Sequence, residues 1–285
     1  MLATYQQALQ AARTLGLDRL DAQLLLLHVL GRPDSDRAWL LAHDDDLMPE
    51  PAAGIFRQLS LRRAAGEPLA YIVGYKDFFG LRFSVDARVL VPRPDTETLV
   101  QWVLDVAETV AAGPVRVLDL GTGSGAIGVA VAVTLAKRRQ RSTPAAVVSA
   151  VDASAAALTV AAANASALRA DVDFLQSNWL ENVSGHYHVI ASNPPYISAV
   201  DPHLSALTHE PIEALTAGAD GLDDIRQIIS QAATHLSVGG WLLLEHGYDQ
   251  AEAVRALLTQ QGFAQVQSRR DLAGVARCSG GRWLH

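Results

Sequence analysis

Residues 189–198, VIASNPPYIS, end an apolar run with an amide, two prolines and an aromatic ring. The side-chain oxygen of Asn193 and the carbonyl of Pro194 are two hydrogen-bond acceptors, while Pro194 and Pro195 restrict the backbone and remove competing N–H donors. Two such acceptors can orient a planar NH2 group and favour the positive charge that develops on its nitrogen when it attacks an electrophile. Tyr196 can lie against that planar group. The alternative is an Asx-Pro turn that only closes a strand.

A glycine-rich loop lies in the sequence VLDLGTGSGAIG, residues 117–128. Gly121, Gly123 and Gly125 allow a tight turn and a close approach of a ligand to the backbone. The helix that follows offers free N–H groups and the positive end of its dipole. The loop also fits the G-x-G-x-x-G/A pattern of dinucleotide-binding proteins, so the glycines alone do not decide the ligand.

The residues around the loop favour S-adenosylmethionine over a dinucleotide. A second strand ends at Asp152, in the sequence SAVD, where a carboxylate can hold a ribose diol in either case. Asp119 precedes the loop, Gly125 adds a third glycine, and a dehydrogenase does not require the polar strand end at Asn193. We therefore expect a methyltransferase that acts on a planar nitrogen.

The elements that must position these residues change in character along the chain. Residues 1–70 show helical spacing, and residues 71–95 contain aromatic and branched residues around Gly80 that predict a β-hairpin. From residue 115 onward, strand-like and helix-like segments alternate. This alternation is typical of an α/β fold with a mostly parallel sheet and helices on both faces.

Composition limits the class of protein. The chain has 285 residues and a formal charge of −7, so no global field favours nucleic acid. Its single cysteine, Cys278, excludes an intrachain disulfide, and the His186 and His188 pair has no evident third ligand, so no metal is expected. With no signal-like N-terminus and no apolar run of membrane length, a soluble, cytoplasmic protein is expected.

In combination, these segments resemble the bacterial release factor glutamine methyltransferases. That family consists of class I S-adenosylmethionine-dependent enzymes that modify the glutamine of the Gly-Gly-Gln loop in peptide chain release factors. The Asn-Pro-Pro-Tyr segment alone is shared with adenine-N6 DNA methylases and some ribosomal RNA methylases. More specific is its occurrence with VPRPDTE at 91–97, DLGTGSGAI at 119–127, DPHL at 201–204, LLLEHG at 242–247 and RDLAGVAR at 270–277.

The resemblance implies a Rossmann-like class I methyltransferase fold and a role for each segment. Residues 1–70 would form a helical substrate-recognition domain, residues 71–95 a hairpin linker and residues 96–285 the catalytic domain. The residues expected to hold the cofactor are Gly121, Thr122, Gly123, Ser124, Gly125, Asp152, Asn178, Trp179 and Asn193. Those expected to hold the glutamine are Asn193, Pro194, Pro195 and Tyr196, with Arg93 and Glu97 at the site entrance.

One departure from the family concerns Asn178, in the sequence QSNWL, where the family often has an acid. An acid there would accept a hydrogen bond from the adenine amino group, and the Asn178 oxygen can do the same without a charge. Trp179 would lie beside the adenine. We therefore expect cofactor affinity to differ modestly and activity to survive.

The expected partners are peptide chain release factors, with no direct nucleic-acid or membrane contact and a monomeric state. A ribosomal-protein glutamine is an alternative substrate for the same chemistry. A DNA or RNA adenine-N6 methyltransferase is a second alternative, which would need a basic groove for a flipped base. A noncatalytic cofactor-binding module is a third, disfavoured by the intact segment from Asn193 to Tyr196.

Overall fold

The computed structural model describes residues 3–110, 113–138, 146–202, 204 and 207–285. His203, in the DPHL segment, lies outside the described residues. The chain divides into two compact units, Met1–Tyr75 and Lys76–His285. Within the described ranges, no helix is long and apolar enough to cross a membrane.

The first unit is built from helices around its own apolar core. Thr4 and Gln7 form a reciprocal capping box at the start of α1, and the Asp18 carboxylate accepts the backbone N–H of Asp21 at the start of α2. The core includes the fully buried run Leu25, Leu26 and Leu27. The helices are α1 (Tyr5–Thr14), α2 (Arg19–Val29), α3 (Arg37–Ala42), α4 (Glu50–Ala64) and α5 (Leu69–Val73).

A hairpin of β1 (Tyr75–Phe78) and β2 (Leu81–Ser84) follows α5. Its turn residues Phe79 and Gly80 both have positive φ, at 51° and 71°, as a type I′ turn requires. The hairpin was expected from residue 71, but residues 71–73 belong to α5, whose helix ends on Gly74 in the left-handed conformation. The assignment of 1–70, 71–95 and 96–285 as functional domains stays a prediction.

The second unit is a seven-stranded sheet with helices, in the order β5-β4-β3-β6-β7-β9-β8. Neighbours from β5 to β7 pair in parallel, and β9 pairs antiparallel with both β7 and β8. The strands are β3 (Arg116–Leu120), β4 (Val147–Asp152), β5 (Asp173–Gln176), β6 (Tyr187–Ser192), β7 (Leu236–Glu245), β8 (Ala264–Arg270) and β9 (Ala276–Arg282). The helices are α6 (Glu97–Glu108), α7 (Ala126–Arg138), α8 (Ala155–Leu168), α9 (Asp223–Ala232) and α10 (Ala251–Gln260).

Alternating side chains of β3 face the two sides of the sheet. Leu118 and Leu120 join the buried cluster that contains Ile225 of α9 and Leu258 of α10. Asp119 points the other way and accepts the backbone N–H of Gly128 in α7. Strands buried on both faces need near-continuous apolar runs, which is why the sequence of β3 is so apolar around one acid.

The parallel strands end at a common edge. In register, Leu120 pairs with Val151 of β4 and Ser192 of β6, and Ser192 pairs with Leu244 of β7. The residues that follow these strand ends, or close them, are therefore neighbours in space. Ligands in open α/β sheets bind at this carboxyl edge.

Candidate active site

A cavity of about 580 Å³ opens at the carboxyl edge of the sheet. Its volume falls within the ~300–1,000 Å³ of ordinary ligand sites. The predicted site residues that line it are Arg93, Gly121, Thr122, Gly123, Ser124, Asp152, Asn178, Trp179, Asn193 and Pro195. The fold thus brings together residues that lie as far apart in the sequence as Arg93 and Pro195.

Four predicted residues are not part of the cavity lining. Gly125 has φ 84°, and a Cβ there would lie 3.3 Å from the Ala161 backbone of α8. Pro194 is buried, and Tyr196 is half-buried with its carbonyl bonded to Gln250 Nε2 at 3.0 Å. Glu97 starts α6 and accepts the backbone N–H of Phe79, in the hairpin turn, at 2.8 Å. Gly125 therefore allows the loop and α8 to pack closely, and Glu97 joins the start of α6 to the hairpin turn.

The glycine loop is held by groups that glycine spacing alone does not reveal. Asn164 of α8 is buried, donates to the Ser124 carbonyl at 2.8 Å and to the Ser84 carbonyl at 3.0 Å, and accepts the Ser84 N–H at 2.8 Å. This amide ties the loop to the hairpin. Gly121 has φ 68°, and a Cβ there would lie 3.1 Å from the Trp179 ring. The ring therefore needs a residue without a side chain opposite it.

Asp119 stands beneath the loop, fully buried. Its Oδ2 accepts the Thr122 hydroxyl at 2.6 Å and the Gly128 N–H at 2.9 Å, while Oδ1 has no hydrogen-bond partner among the described residues. Burial raises the pKa of this carboxyl to about 6, against the effect of the two donors. The nearby charge of Asp152 raises it further.

Asp152 closes β4 and lines the cavity. Its Oδ2 accepts the Gly123 N–H at 2.9 Å, and its Oδ1 accepts the Ser154 N–H, also at 2.9 Å. The carboxylate thus shapes the glycine loop and the start of α8. Each oxygen has further acceptor capacity, which ribose hydroxyls can use.

Asn178 and Trp179 form a polar and an aromatic wall of the cavity. Asn178 Nδ2 donates to Glu181 at 2.6 Å, which engages one of its two hydrogens and leaves its oxygen as an acceptor. Trp179 Nε1 donates to Asp224 of α9 at 3.2 Å, and Asp224 also lines the cavity. Burial raises the pKa of the Asp224 carboxyl. Sequence reasoning missed Asp224 because no motif connects α9 with the cofactor loop.

Asn193 follows β6 and lines the cavity. Its Nδ2 donates to the Thr96 hydroxyl at 3.3 Å, whereas its Oδ1 has no hydrogen-bond partner among the described residues. Thr96 belongs to the VPRPDTE segment and is buried. One hydrogen of the amide is therefore engaged, and its oxygen can accept a further hydrogen bond.

Glu245 closes β7 and is 1% exposed. Burial is the largest influence on its carboxyl and raises its pKa to about 7; the nearby Asp95 adds to this, and the nearby Thr96 and Tyr196 hydroxyls and Arg277 oppose it. Burial and Glu245 together also raise the pKa of the Tyr196 phenol. The next residue, His246, is not part of the cavity lining. Its Nε2 is hydrogen-bonded to the Ser279 hydroxyl at 2.8 Å, which agrees with a role in packing.

Arg93 and Glu210 join two walls of the cavity. Arg93 donates to the buried Glu210 carboxylate at 2.5 Å, and the Val91 N–H donates to its other oxygen at 3.2 Å. Pro92 and Arg93 line one wall, and Pro211, directly after Glu210, lines the other. Sequence reasoning missed Glu210, which no motif distinguishes from surface acids.

These groups suit S-adenosylmethionine. The Asp152 carboxylate can accept hydrogen bonds from ribose hydroxyls, and the Trp179 ring offers a flat face to a purine. Along the loop from Gly121 to Ser124, a ligand in the cavity can approach the backbone closely. The described residues include no group of three or more His, Cys, Asp or Glu that could hold a metal ion.

Comparison with known families supports this assignment. Residues 1–74 match the family described as PrmC N-terminal domain, and residues 101–219 match the methyltransferase small domain. The fold is shared with the crystal structure of the hMettl16 catalytic domain in complex with an MAT2A 3′UTR hairpin, at a TM-score of 0.56 and 17% identity over 83% of each chain. At that identity the likeness concerns the Rossmann-like methyltransferase fold alone.

Two curated relatives cover nearly the full chain. The release factor glutamine methyltransferase of Bordetella pertussis is 49% identical over 270 residues, which is 93% of this chain and 95% of that protein. The protein of the same name from Pseudomonas aeruginosa is 46% identical over 269 residues, or 93% and 92% of the two chains. Similarity of this extent reaches across both compact units, and this chain belongs to the family of release factor glutamine methyltransferases.

Proposed function

We propose that this protein transfers the methyl group of S-adenosylmethionine to the side-chain amide nitrogen of the glutamine in the Gly-Gly-Gln motif of peptide chain release factors. The observation that carries the proposal is the Asn193 amide, whose oxygen has no hydrogen-bond partner in the part of the chain that the structure describes and which lines a cavity shared with the glycine loop. The full-length similarity to proteins named for this activity supports the choice of substrate. Release factors act on ribosomes, so the proposed site of action is the cytoplasm.

Methyl transfer to an amide nitrogen is difficult because the nitrogen lone pair is delocalised into the carbonyl. The Asn193 oxygen and the Pro194 carbonyl would accept the two hydrogens of the glutamine NH2. These bonds strengthen as positive charge develops on the nitrogen, so they stabilise the transition state more than the bound substrate. No strong base is required, since the proton becomes acidic as the methyl adds.

S-adenosylmethionine, when bound, supplies an electrophilic methyl group on a sulfonium. The residues that would hold it are Gly121, Thr122, Gly123, Ser124, Asp152, Asn178 and Trp179, all of which line the cavity. What the protein contributes is orientation, since in-line attack needs the nitrogen held close to the methyl carbon.

A ribosomal-protein glutamine and a nucleic-acid adenine are the alternative acceptors. Both present a planar NH2 group, so the Asn193 geometry accommodates the chemistry of either. The negative formal charge of −7 disfavours nucleic acid, whose binding relies on phosphate neutralisation. No feature of the cavity favours the ribosomal protein.

The test is to incubate the protein with methyl-labelled S-adenosylmethionine and, separately, purified release factor, ribosomes and duplex DNA. Label should appear in the release factor, and replacing the Gly-Gly-Gln glutamine should abolish it. A release factor with alanine at a different exposed glutamine is the matched control. Label confined to ribosomes or DNA would refute the proposed substrate.

A further inference from the structure

We infer that Asp224 is a positioning residue that fixes the Trp179 ring as one wall of the part of the cavity that takes a purine. The inference deepens the proposed function and rests on its cofactor, S-adenosylmethionine. Asp224 lies in the first turn of α9, and Trp179 lies in the turn that follows β5. Both residues line the cavity, although they lie 45 positions apart in the sequence.

Two contacts hold different parts of the Trp179 ring. The indole N–H donates to Oδ1 of Asp224 at 3.2 Å. The other end of the ring faces Gly121, where a Cβ would lie 3.1 Å from Cζ3 and 3.4 Å from Cη2. Nε1 belongs to the five-membered ring, whereas Cζ3 and Cη2 belong to the six-membered ring. A ring held at both places cannot rotate without losing one of the two contacts.

The backbone at Trp179 places this ring against a local preference. Trp179 has φ 48°, in the left-handed region that bulky side chains rarely adopt. Such a conformation costs free energy and persists where surrounding contacts determine it, often at ligand sites. Here the Ser177 hydroxyl accepts the Asn182 N–H at 3.0 Å, and the Gln231 side chain accepts the Leu180 N–H at 3.4 Å. Because Gln231 belongs to α9, that helix contacts the backbone of this turn as well as its ring.

The location of Asp224 at a helix start offers a simpler explanation, which accounts for its neighbour better. An acid in the first turn stabilises a helix through the helix dipole. Asp223 is exposed in the same turn, supplies that charge and pairs with Arg226 at 2.9 Å. Asp224 is half-buried, and burial raises the pKa of its carboxyl; the Trp179 N–H opposes that rise and the charge of Asp223 adds to it. The second acid therefore brings desolvation and repulsion to the helix start, and its compensating contact is the ring N–H.

A fixed ring favours binding because a purine is flat and stacks on a surface whose plane is already set. A ring that is free to rotate must be ordered when the ligand binds, and the lost rotamer freedom weakens the affinity. The Asp224 hydrogen bond orders the ring before the ligand arrives. Its removal should therefore weaken cofactor binding and leave the transfer step unchanged.

The experiment measures S-adenosylmethionine affinity of the full chain by calorimetry, with thermal unfolding and kcat for methyl transfer to a release factor in parallel. The variants are Asp224→Ala, Asp224→Asn, Trp179→Phe and the double variant of Asp224→Ala with Trp179→Phe. Trp179→Phe keeps a flat ring and removes the N–H. Asp223→Ala, which makes the same change at an exposed acid of the same helical turn, is the matched control.

We expect Asp224→Ala to weaken cofactor binding by ~3- to 10-fold, the usual effect of one lost hydrogen bond. Asp224→Asn keeps an acceptor oxygen, so it should bind within ~2-fold of the unmodified protein, as should Asp223→Ala. In the Trp179→Phe background, Asp224→Ala should have no further effect, because the two residues act through one contact. The kcat at saturating cofactor should stay within ~2-fold throughout, since the lost interaction contributes uniform binding.

Unchanged affinity in Asp224→Ala would overturn the inference. Equal losses in Asp224→Asn and Asp224→Ala would do so as well, because they would assign the effect to charge. An undiminished loss in the Trp179→Phe background would mean that Asp224 contacts the cofactor itself, which is also contrary to a positioning role. A protein that binds S-adenosylmethionine and methylates no release factor would refute the proposed substrate, and the binding results would still decide the role of Asp224.

The indole N–H of Trp179 gives a readout that needs neither cofactor binding nor a folded Asp224→Ala protein. Its signal in ¹⁵N spectra is identified by its absence in Trp179→Phe. In the unmodified protein the signal should be protected from solvent exchange, and Asp224→Asn should keep that protection. Exchange as fast as in an unfolded chain would show that Asp224 does not hold the ring.

Discussion

At the scale of the residue, the site separates groups that bind from groups that orient. Asp152 and Trp179 present a carboxylate and a ring to the cavity, and Asn193 presents an amide oxygen. Thr96 and Asn164 are buried; Thr96 accepts from Asn193, and Asn164 donates to the loop backbone. Since a proposed reaction that relies on positioning tolerates little displacement, the buried set matters as much as the exposed one.

Replacing Asn193 tests the proposed mechanism directly. Asn193→Ala removes one preorganised acceptor, which typically lowers kcat by ~10²-fold or more. Asn193→Asp keeps an acceptor oxygen and adds a charge, so partial activity is expected. The measurement is transfer of labelled methyl to a release factor, with cofactor affinity measured by calorimetry. Near-normal turnover in Asn193→Ala would mean that the Asn-Pro-Pro-Tyr segment is only a turn.

Tyr196 offers a second test in the same assay. Tyr196 is not part of the cavity lining, and its backbone carbonyl accepts a hydrogen bond from Gln250 Nε2 at 3.0 Å. If the ring acts by packing, Tyr196→Phe should cost little and Tyr196→Ala much more, because only the latter empties the space. Equal losses in Phe and Ala would assign the effect to the hydroxyl.

Asp152 has a predicted role in cofactor binding that its backbone contacts complicate. Asp152→Ala should weaken S-adenosylmethionine binding by roughly 1–3 kcal/mol, because charge-assisted hydrogen bonds to the ribose are lost. The Gly123 and Ser154 N–H groups also lose their acceptor, so part of the loss comes from a loosened loop. Asp152→Asn keeps one acceptor oxygen and should bind with intermediate affinity. Unchanged affinity in a folded Asp152→Ala protein would remove the residue from the cofactor site.

Asp119 predicts a pH dependence of stability. Its pKa is about 6 in the folded protein and ordinarily 3.8, so its contribution to stability is full below pH 4 and is lost as pH rises to 6. The loss is about 3 kcal/mol at most. The free energy of unfolding of Asp119→Asn, minus that of the unmodified protein, should therefore rise between pH 4 and 6 and stay constant above pH 6. Urea denaturation without cofactor measures it, and a pH-independent difference would contradict the burial of the charge.

At the scale of the element, sequence patterns predicted the strands and the position of the glycine loop between β3 and α7. The alternation after residue 115 predicted the Rossmann-like sheet, and polar residues after apolar runs predicted which strand ends meet in the cavity. The comparisons confirm that fold and the glutamine methyltransferase family. What the sequence could not show is which buried acids support the site. Glu210 and Asp224 acquire their partners Arg93 and Trp179 only through contacts between elements distant in sequence.

The segment around Arg93 illustrates such a contact between elements, because Glu210 is buried and has Arg93 as its ion-pair partner. Arg93→Ala leaves that carboxylate with the Val91 N–H as its one hydrogen-bond partner among the described residues, and should lower stability by about 1–3 kcal/mol. The double variant Arg93→Ala with Glu210→Gln should recover part of the loss, because the uncompensated charge is gone while the Val91 bond can persist. Arg88→Ala, at an exposed ion pair, is the control. Additive losses in the double variant would show that the pair is not coupled.

At the scale of the whole molecule, the chain has two compact units with separate apolar cores. All residues that line the cavity lie in the second unit, Lys76–His285. The first unit matches the PrmC N-terminal domain over residues 1–74. The chemistry of methyl transfer therefore assigns no role to the first unit, and substrate recognition is the role we propose for it.

A truncated chain that begins at Lys76 tests that role. Because the cavity and its supporting residues all lie beyond Lys76, the truncated chain should bind S-adenosylmethionine with the affinity of the full chain. Methylation of intact release factor should fall through a rise in KM, whereas turnover at saturating substrate should fall much less, since a recognition unit contributes uniform binding. A short Gly-Gly-Gln peptide is the control substrate, because it is too small to use a separate recognition unit, and both chains should methylate it equally.

Full activity of the truncated chain on intact release factor would contradict a recognition role. Equal losses on factor and peptide, with cofactor affinity intact, would instead show that the helical unit supports the catalytic site itself.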